Sequence, residues 1–326
     1  MERLFSGIQP TGQIHLGNYL GAVQNWTTLQ DRYESLFCIV DLHALTIEYD
    51  PATMTPKVID LAMILIASGI DPRKSVLFVQ SSVPEHSELA WIFSTVAPMG
   101  DLQRMTQFKE KSAQHRENIN VGLFSYPVLQ ASDILLYKAR AVPVGEDQVQ
   151  HIELCREIAR RFNARFGDVF PEPKEIVTKG ARIKGLDGSA KMSKSQNNTI
   201  PLMATPEEQW ELLRTAVTDE NRKRRTDPGD PEKCNINTLH GFFTEEKIHK
   251  ELQHGCRTAG IGCIECKQVL SDNMTERLTP IRNRYHELQR DPDFIQDVLK
   301  DGARRARALA SATMDEVRTS LGLFRP

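Results

Sequence analysis

Short runs of consecutive apolar residues alternate with stretches of helical period through the first half of the chain. Leu36-Phe-Cys-Ile-Val40 and Ser75-Val-Leu-Phe-Val-Gln80 carry no polar interruption at their centres. That is the pattern of strands buried on both faces of a parallel sheet. Arg3-Leu-Phe-Ser-Gly7 reads as a further strand ending at a glycine turn, and Val142-Pro-Val-Gly145 as a strand tip. Between them, helical spacing runs over Gly17 to Gln30, Met54 to Ala67, Glu85 to Thr95 (opened by Pro84) and Asp147 to Phe162. Strands alternating with helices predict an α/β fold, an open, doubly wound parallel sheet. After the segment Gly180 to Asn198 the strand signals stop. Helical periods then cover Pro206 to Ala216, Glu245 to Gln253, Glu265 to Gln289 and Phe294 to Leu321, around a loop at Asp227-Pro-Gly-Asp-Pro231. This places a boundary near residue 204, between an α/β domain over 1–204 and a helical domain over 205–326.

The 326 residues are 40% hydrophobic and 26% charged, which excludes disorder as the main reading. The longest apolar run, Leu61 to Ile70, is shorter than the ~18 residues of a membrane span and reads as a buried helix. The start, Met-Glu-Arg-Leu-Phe, lacks a basic-then-apolar leader, so a cytoplasmic protein is expected, with no membrane partner. Forty-one basic and 43 acidic side chains give a net charge of −2. This excludes nucleic-acid binding by bulk positive charge, and no DNA partner is expected. Two local basic clusters remain, Arg222 to Arg225 and Arg304 to Arg307. Solvated faces are the plain reading of each.

Six cysteines are unevenly placed. Cys38 and Cys155 stand alone, whereas Cys234, Cys256, Cys263 and Cys266 share one segment as Cys-x21-Cys-x6-Cys-x2-Cys. In a cytosolic chain this suggests metal rather than disulfides. Structural zinc usually shows two close pairs, and here there is one. A four-cysteine cubane tolerates uneven spacing. Iron-sulfur, zinc and free thiols all remain open at this point.

A parallel sheet binds ligands beyond the carboxyl ends of its strands. The first strand is followed by Ile8-Gln-Pro-Thr-Gly-Gln-Ile-His-Leu-Gly-Asn18, rich in the small residues that let backbone approach a phosphate. No Gly-x-Gly-x-x-Gly stands there, and no Gly-x4-Gly-Lys-Ser/Thr occurs anywhere. Dinucleotide-dependent dehydrogenases and P-loop NTPases therefore lack their fingerprints. What stands there is His15-Leu-Gly-Asn18, and far along the chain Lys191-Met-Ser-Lys-Ser195. Either alone is weak, a turn or a solvated loop. Together, in a strand–helix frame, they can wrap a triphosphate and neutralise its charge. Asp133 is a third signal, a carboxylate inside the apolar helical stretch Tyr126 to Leu136. Such a group must be paired. A local cap or ion pair satisfies that, and so does a ligand with one N–H.

On these residues the chain resembles the class I aminoacyl-tRNA synthetases, whose signatures are HIGH and KMSKS. Phe5 to Gly12, Ile39 to Ala44, Gly69 to Pro72, Met105 to Ser112, Pro143 to Gln148 and Thr215 to Asp219 look like the bacterial tryptophanyl branch, and the likeness spans the chain. The segment Gly255 to Cys266 is similar to the subset of that branch carrying a 4Fe-4S cluster. One departure is Asn18, where HIGH has its second His.

The resemblance implies a Rossmann-like catalytic domain, a C-terminal helical anticodon-binding domain and a last helix packing back on the catalytic one. It implies ligation of L-tryptophan to tRNA(Trp), with ATP as substrate, Mg²⁺, and a homodimer. ATP would meet Gln9, Pro10, Thr11, Gly17, Asn18, Gly145, Glu146, Asp147, Ile183, Lys191, Met192, Ser193, Lys194 and Ser195. Catalytic roles fall to Lys191, Lys194, Lys111 and Gln9. Tryptophan would meet Asp133 as acceptor of the indole N–H, with Phe5, His43 and Val144 as walls and Tyr126 and Gln148 at its ammonium and carboxylate. Gln130 departs from the Met of many relatives. Cys234, Cys256, Cys263 and Cys266 would hold the cluster, with Zn²⁺ as the alternative, and the two basic clusters would face tRNA phosphates in the helical domain. The nearest competing expectation is a tyrosyl-tRNA synthetase-like ligase. A nucleotidyltransferase without tRNA lacks a use for the helical half, and an RNA-binding regulator lacks one for Lys191 to Ser195 and Asp133.

Overall fold

The computed structural model describes residues 1–105, 120–145, 148–177, 183–188, 192–193 and 196–324. Five strands form one sheet: β1 (Arg3–Ile8), β2 (Glu34–Ile39), β3 (Val76–Val79), β4 (Ala141–Val144) and β5 (Lys174–Val177). All pair in parallel, in the order β3-β2-β1-β4-β5. Among the described residues the helices run α1 (Leu16–Asn18), α2 (Gln24–Leu29), α3 (Asp41–Ala44), α4 (Pro51–Ala67), α5 (Glu85–Ser94), α6 (Met99–Arg104), α7 (Val121–Leu135), α8 (Val149–Phe166), α9 (Pro206–Thr215), α10 (Asn235–Phe243), α11 (Glu246–Arg257), α12 (Cys263–Gln289) and α13 (Pro292–Ser320). A π-helical turn at Tyr19–Val23 joins α1 to α2, so the expected helix from Gly17 is widened in its first turns. No helix of the described residues is long and apolar enough to cross a membrane.

Packing divides the chain into two compact units. The first comprises Met1–Gly12, Asn25–Lys179 and Leu288–Pro326, the second Gln13–Gln24 and Gly180–Glu287.

In the first unit, register sets Phe5 beside Leu36, Leu36 beside Val76, and Leu4 beside Ala141. The central strands are covered on both faces, as their apolar runs predict; Leu36, Phe37, Cys38 and Ile39 are fully buried. Strand order reverses between β1 and β4, the switch point beyond whose carboxyl ends open parallel sheets bind ligands. Helices start where capping chemistry allows. Asp50 accepts the Ala52 N–H at 3.0 Å ahead of α4, whose first residue is Pro51. Asn120 accepts the Leu123 N–H at 2.9 Å ahead of α7.

The last helix belongs to this sheet unit. Ile295, Ala306, Ala310, Met314 and Val317 form its buried stripe. Gly302 lets it lie directly on β3, because a Cβ there would overlap the Leu77 carbonyl. Arg305 donates to the carbonyls of Pro72 (2.9 Å) and Ser75 (3.2 Å), and Arg318 pairs with Glu88.

In the second unit, His15 bridges Pro201, with Leu16 N–H on the Ile200 carbonyl (3.0 Å) and Leu202 N–H on that of Ile14 (2.9 Å). That bridge draws Gln13–Gln24 into this unit. Thr205 and Glu208 cap α9 reciprocally. Long α12 buries Leu270, Met274 and Leu278. Its Arg282 is buried, donating to Gln209 Oε1 (2.8 Å) and the Leu202 carbonyl (3.3 Å).

Candidate active site

The first unit gathers its functional side chains around one carboxylate. Asp133, on α7, is buried. Its Oδ1 accepts from Gln80 Nε2 (2.7 Å) and faces His86 Nδ1 (2.6 Å), and its Oδ2 faces His43 Nε2 (2.7 Å). Burial opposes its ionisation, but the charge of His43 and the hydrogen bonds from His43 and His86 outweigh burial and hold the carboxyl below its usual range. It is an ionised, acceptor-only group at neutral pH. The plain alternative of a local cap is not what the fold builds, since its partners come from α3, α5 and the turn after β3.

The expected pocket residues connect to this centre by direct contacts. Phe5 stacks on Tyr137 with centroids 5.7 Å apart, and Tyr137 Oη meets His86 Nε2 at 2.8 Å. On the other side His43 meets the Tyr126 ring edge-on at 6.2 Å, and the Tyr126 hydroxyl lies 3.0 Å from His151 Nε2. Phe5 and Val144 share one hydrophobic core with Val128 and Ala131 of α7. Gln130 Nε2 approaches Gln148 Oε1 at 3.5 Å, a long contact. The arrangement is aromatic and apolar with one polar focus, suited to a flat ring bearing a single donor.

The residues expected at ATP divide between the units. Gln9, Pro10, Thr11 and Gly145 follow the carboxyl ends of β1 and β4 in the first. In the second, His15 N–H donates to Asn18 Oδ1 at 3.3 Å, which orients the amide that replaces His in HIGH. Met192 N–H donates to the Ile183 carbonyl at 2.9 Å, and both side chains are buried. A Cβ on Gly17 would stand 3.0 Å from the His15 ring and 3.5 Å from Met192 Cβ. The fold therefore brings the two distant signatures together, with glycine where they approach. Ser193 N–H donates to Asn198 Oδ1 at 2.7 Å. Lys111, Glu146, Asp147, Lys191, Lys194 and Ser195 lie outside the described residues.

Cys234, Cys256, Cys263 and Cys266 are half-buried in the second unit. Burial, and then the charges of the other three thiols, push Cys266 up to about 12. Cys256 Sγ lies 3.8 Å from Arg222 Nη1. Among the described residues no group of three or more donors is drawn together to hold a metal ion. The basic clusters need correction. Arg222 is buried, with Nη2 on the carbonyls of Arg225 (2.9 Å) and Ile261 (2.7 Å), so it faces inward. Arg304 to Arg307 sits in the sheet unit rather than with the helices of 205–287, because α13 packs on β3. Arg305 is spent on backbone carbonyls and Arg307 reaches Glu85 at 3.3 Å.

Sequence reasoning missed Gln80, His86, Tyr137, His151 and Asn198. Gln80 carried the one available signal, a polar residue closing an apolar strand.

The matrix of signatures, sheet and buried carboxylate agrees with known proteins. The family described as tRNA synthetases class I (W and Y) matches residues 1–279. A tryptophan–tRNA ligase of Deinococcus radiodurans is 54% identical over 330 residues, covering 100% of both chains. That of Thermotoga maritima is 44% identical with 99% of each covered. The crystal structure of tryptophanyl-tRNA synthetase from Campylobacter jejuni complexed with ADP and tryptophan superposes with a TM-score of 0.89 at 37% identity, over 98% of this chain and 100% of that one. A tyrosyl-tRNA synthetase from Archaeoglobus fulgidus, at 20% identity and a TM-score of 0.69, shares the fold alone. The chain belongs to the class I tRNA synthetases of the tryptophan and tyrosine family. Within that family it falls among the tryptophan–tRNA ligases, and it is an enzyme of that kind.

Proposed function

We propose that the chain activates L-tryptophan with ATP and passes it to tRNA(Trp), and that Asp133 selects the amino acid by accepting its indole N–H. The ionised, buried Asp133 carboxylate among aromatic and apolar side chains carries this reading. Phe5, His43 and Val144 wall the ring. Tyr126 and Gln148 meet its ammonium and carboxylate, and Gln130 reaches the ammonium or the pocket floor. That carboxylate attacks the α-phosphorus of ATP in line, and pyrophosphate leaves. No protein nucleophile is required, because the substrate supplies one; positioning and charge stabilisation carry the rate. Gln9, Pro10, Thr11, Gly17, Asn18, Gly145, Glu146, Asp147, Ile183, Met192, Ser193 and Ser195 hold the nucleotide, and Lys111, Lys191 and Lys194 take up charge moving onto the leaving phosphates. Mg²⁺, when bound, neutralises phosphate charge. The approach of Gly17 to Met192 supports a shared nucleotide site. The 2′-OH of the tRNA terminal adenosine then attacks the aminoacyl carbonyl of the adenylate, the acyl–phosphate bond breaks, and AMP leaves. Charging of a purified tRNA(Trp) transcript with labelled tryptophan tests this; charging of tRNA(Tyr) with tyrosine instead would overturn it.

The reading extends to finer properties. Lys223, Arg224, Arg225, Arg304 and Arg307 are the exposed members of the basic clusters and the ones offered to tRNA phosphate. The resemblance favours a homodimer, and sedimentation of the purified chain tests it. A cytoplasmic location fits this role. We further infer that the four cysteines take a 4Fe-4S cluster, with zinc as the competing occupant. Arg222 and Lys267 are both buried and hydrogen-bond to backbone carbonyls and, for Arg222, to Cys256 Sγ. Metal-bound thiolates would supply the negative charge they need. A cubane also spreads its ligands wider than one ion does, consistent with four thiols that sense one another without closing on a point. The bound cluster would cross-link α10 through α12. Iron and sulfide at about four each per anaerobically purified chain is the expected analysis; equimolar zinc would overturn it.

A further inference from the structure

We propose that His86, locked by Tyr137, is a positioning residue that reserves one lone pair of Asp133 for the indole N–H. This rests on the reading of Asp133 given above and adds a specificity residue to it. A carboxylate has about four acceptor positions, two on each oxygen. Among the described residues Gln80 and His86 fill both places on Oδ1, and His43 fills one on Oδ2. The remaining place is on Oδ2.

His86 has no exposed surface, and its two ring nitrogens are both engaged. Asp133 is an acceptor only, so Nδ1 carries hydrogen and donates to it across 2.6 Å. The Tyr137 hydroxyl is fully buried and meets Nε2 at 2.8 Å. A buried hydroxyl places its proton on its partner, and Nε2 is that partner. Nδ1 is thereby turned to the carboxylate as a donor and Nε2 to the phenol, and Tyr137 holds that orientation. Rotation is blocked as well. His86 lies against Phe78 (centroids 6.0 Å) and Tyr137 (5.4 Å), and its carbonyl accepts from Ser132 Oγ at 2.7 Å, next to Asp133 itself. Gln80 completes the frame: its Oε1 accepts the Leu42 N–H at 3.1 Å and so fixes α3, which carries His43. Without His86, of the described residues only Gln80 and His43 hold the carboxylate, Oδ1 regains an open place, and the one on Oδ2 is no longer singled out for the indole.

The test compares kcat/KM for tryptophan with that for its sulfur isostere, L-3-(benzothien-3-yl)alanine, in pyrophosphate exchange. The isostere keeps the shape and lacks the N–H. For His86→Phe the preference for tryptophan should fall roughly tenfold or more, chiefly through KM for tryptophan. His86→Asn, whose amide offers a donor near the Nδ1 position, should restore most of it. Tyr137→Phe is the milder variant and should cost the preference about threefold to fivefold even if His86→Phe does not fold. Equal losses for both amino acids in the folded variants would overturn the proposal, because a merely structural residue moves both together. Asp133→Asn separates the two levels. If it abolishes the preference while the His86 and Tyr137 variants keep it, this proposal alone fails. If it too keeps the preference, the reading of Asp133 fails first.

Discussion

Replacing Asp133 by Asn preserves size and removes one acceptor oxygen. The consequence follows from what surrounds it. The amide oxygen must take the Oδ1 place, because an NH₂ there would oppose two donors, Gln80 and His86, at 2.7 and 2.6 Å. The NH₂ then occupies the Oδ2 place and points at the indole N–H, donor against donor. Lost is a charge-assisted hydrogen bond of about 1.5–3 kcal/mol. Added is a buried, unpaired N–H at about 1–3 kcal/mol. The sum is roughly 2.5–6 kcal/mol, or about two to four orders of magnitude in kcat/KM for tryptophan. Pyrophosphate exchange at limiting tryptophan reads this directly, with KM for ATP nearly unchanged as the internal control. A folded Asp133→Asn enzyme that loses less than about fivefold would refute the reasoning, since so small a loss cannot contain both terms.

Three further outcomes follow from the packing. Gly302→Ala drives a methyl into the Leu77 carbonyl and should lower stability by about 2–3 kcal/mol despite the better helix propensity of alanine, read as a lower urea midpoint; an unchanged midpoint would contradict the close approach of α13 to β3. Ala259 sits at φ 55°, where a side chain is strained, so Ala259→Gly should raise stability by about 0.5–1 kcal/mol in the same assay, and a loss would be the wrong sign. Asp133 is held below its unfolded pKa, so the unfolded chain takes up its proton first as pH falls. Its contribution is full above about pH 4 and is lost as pH drops through the folded value, so the stability gap between wild type and Asp133→Asn should narrow below pH 4; a widening gap would refute the assignment.

The sheet was legible where burial dictates composition. Leu36 to Val40 and Ser75 to Gln80 are apolar because β2 and β3 are covered on both faces, and the structure puts strands at Glu34–Ile39 and Val76–Val79. β5 was not legible. Lys174-Glu-Ile-Val177 is an edge strand, half exposed, and its pairing with β4 stabilises it without an apolar run. The division into units was hidden for another reason. It depends on contacts between distant segments, Gly302 on Leu77 and His15 on Pro201, which leave no local periodicity. Asp133 announced itself as a charge in an apolar helix. Its partners were less legible: His43 entered only through the resemblance, Gln80 only as a polar end to an apolar strand and His86 not at all, because they lie 90, 53 and 47 residues away in sequence.

The most direct test of the account is amino-acid-dependent exchange of pyrophosphate with ATP, run with all twenty amino acids on anaerobically purified protein. Stimulation by tryptophan alone is the predicted result. Stimulation by tyrosine at comparable kcat/KM would contradict it, because a site built on one ionised acceptor among aromatic rings would then not be reading the indole N–H at all.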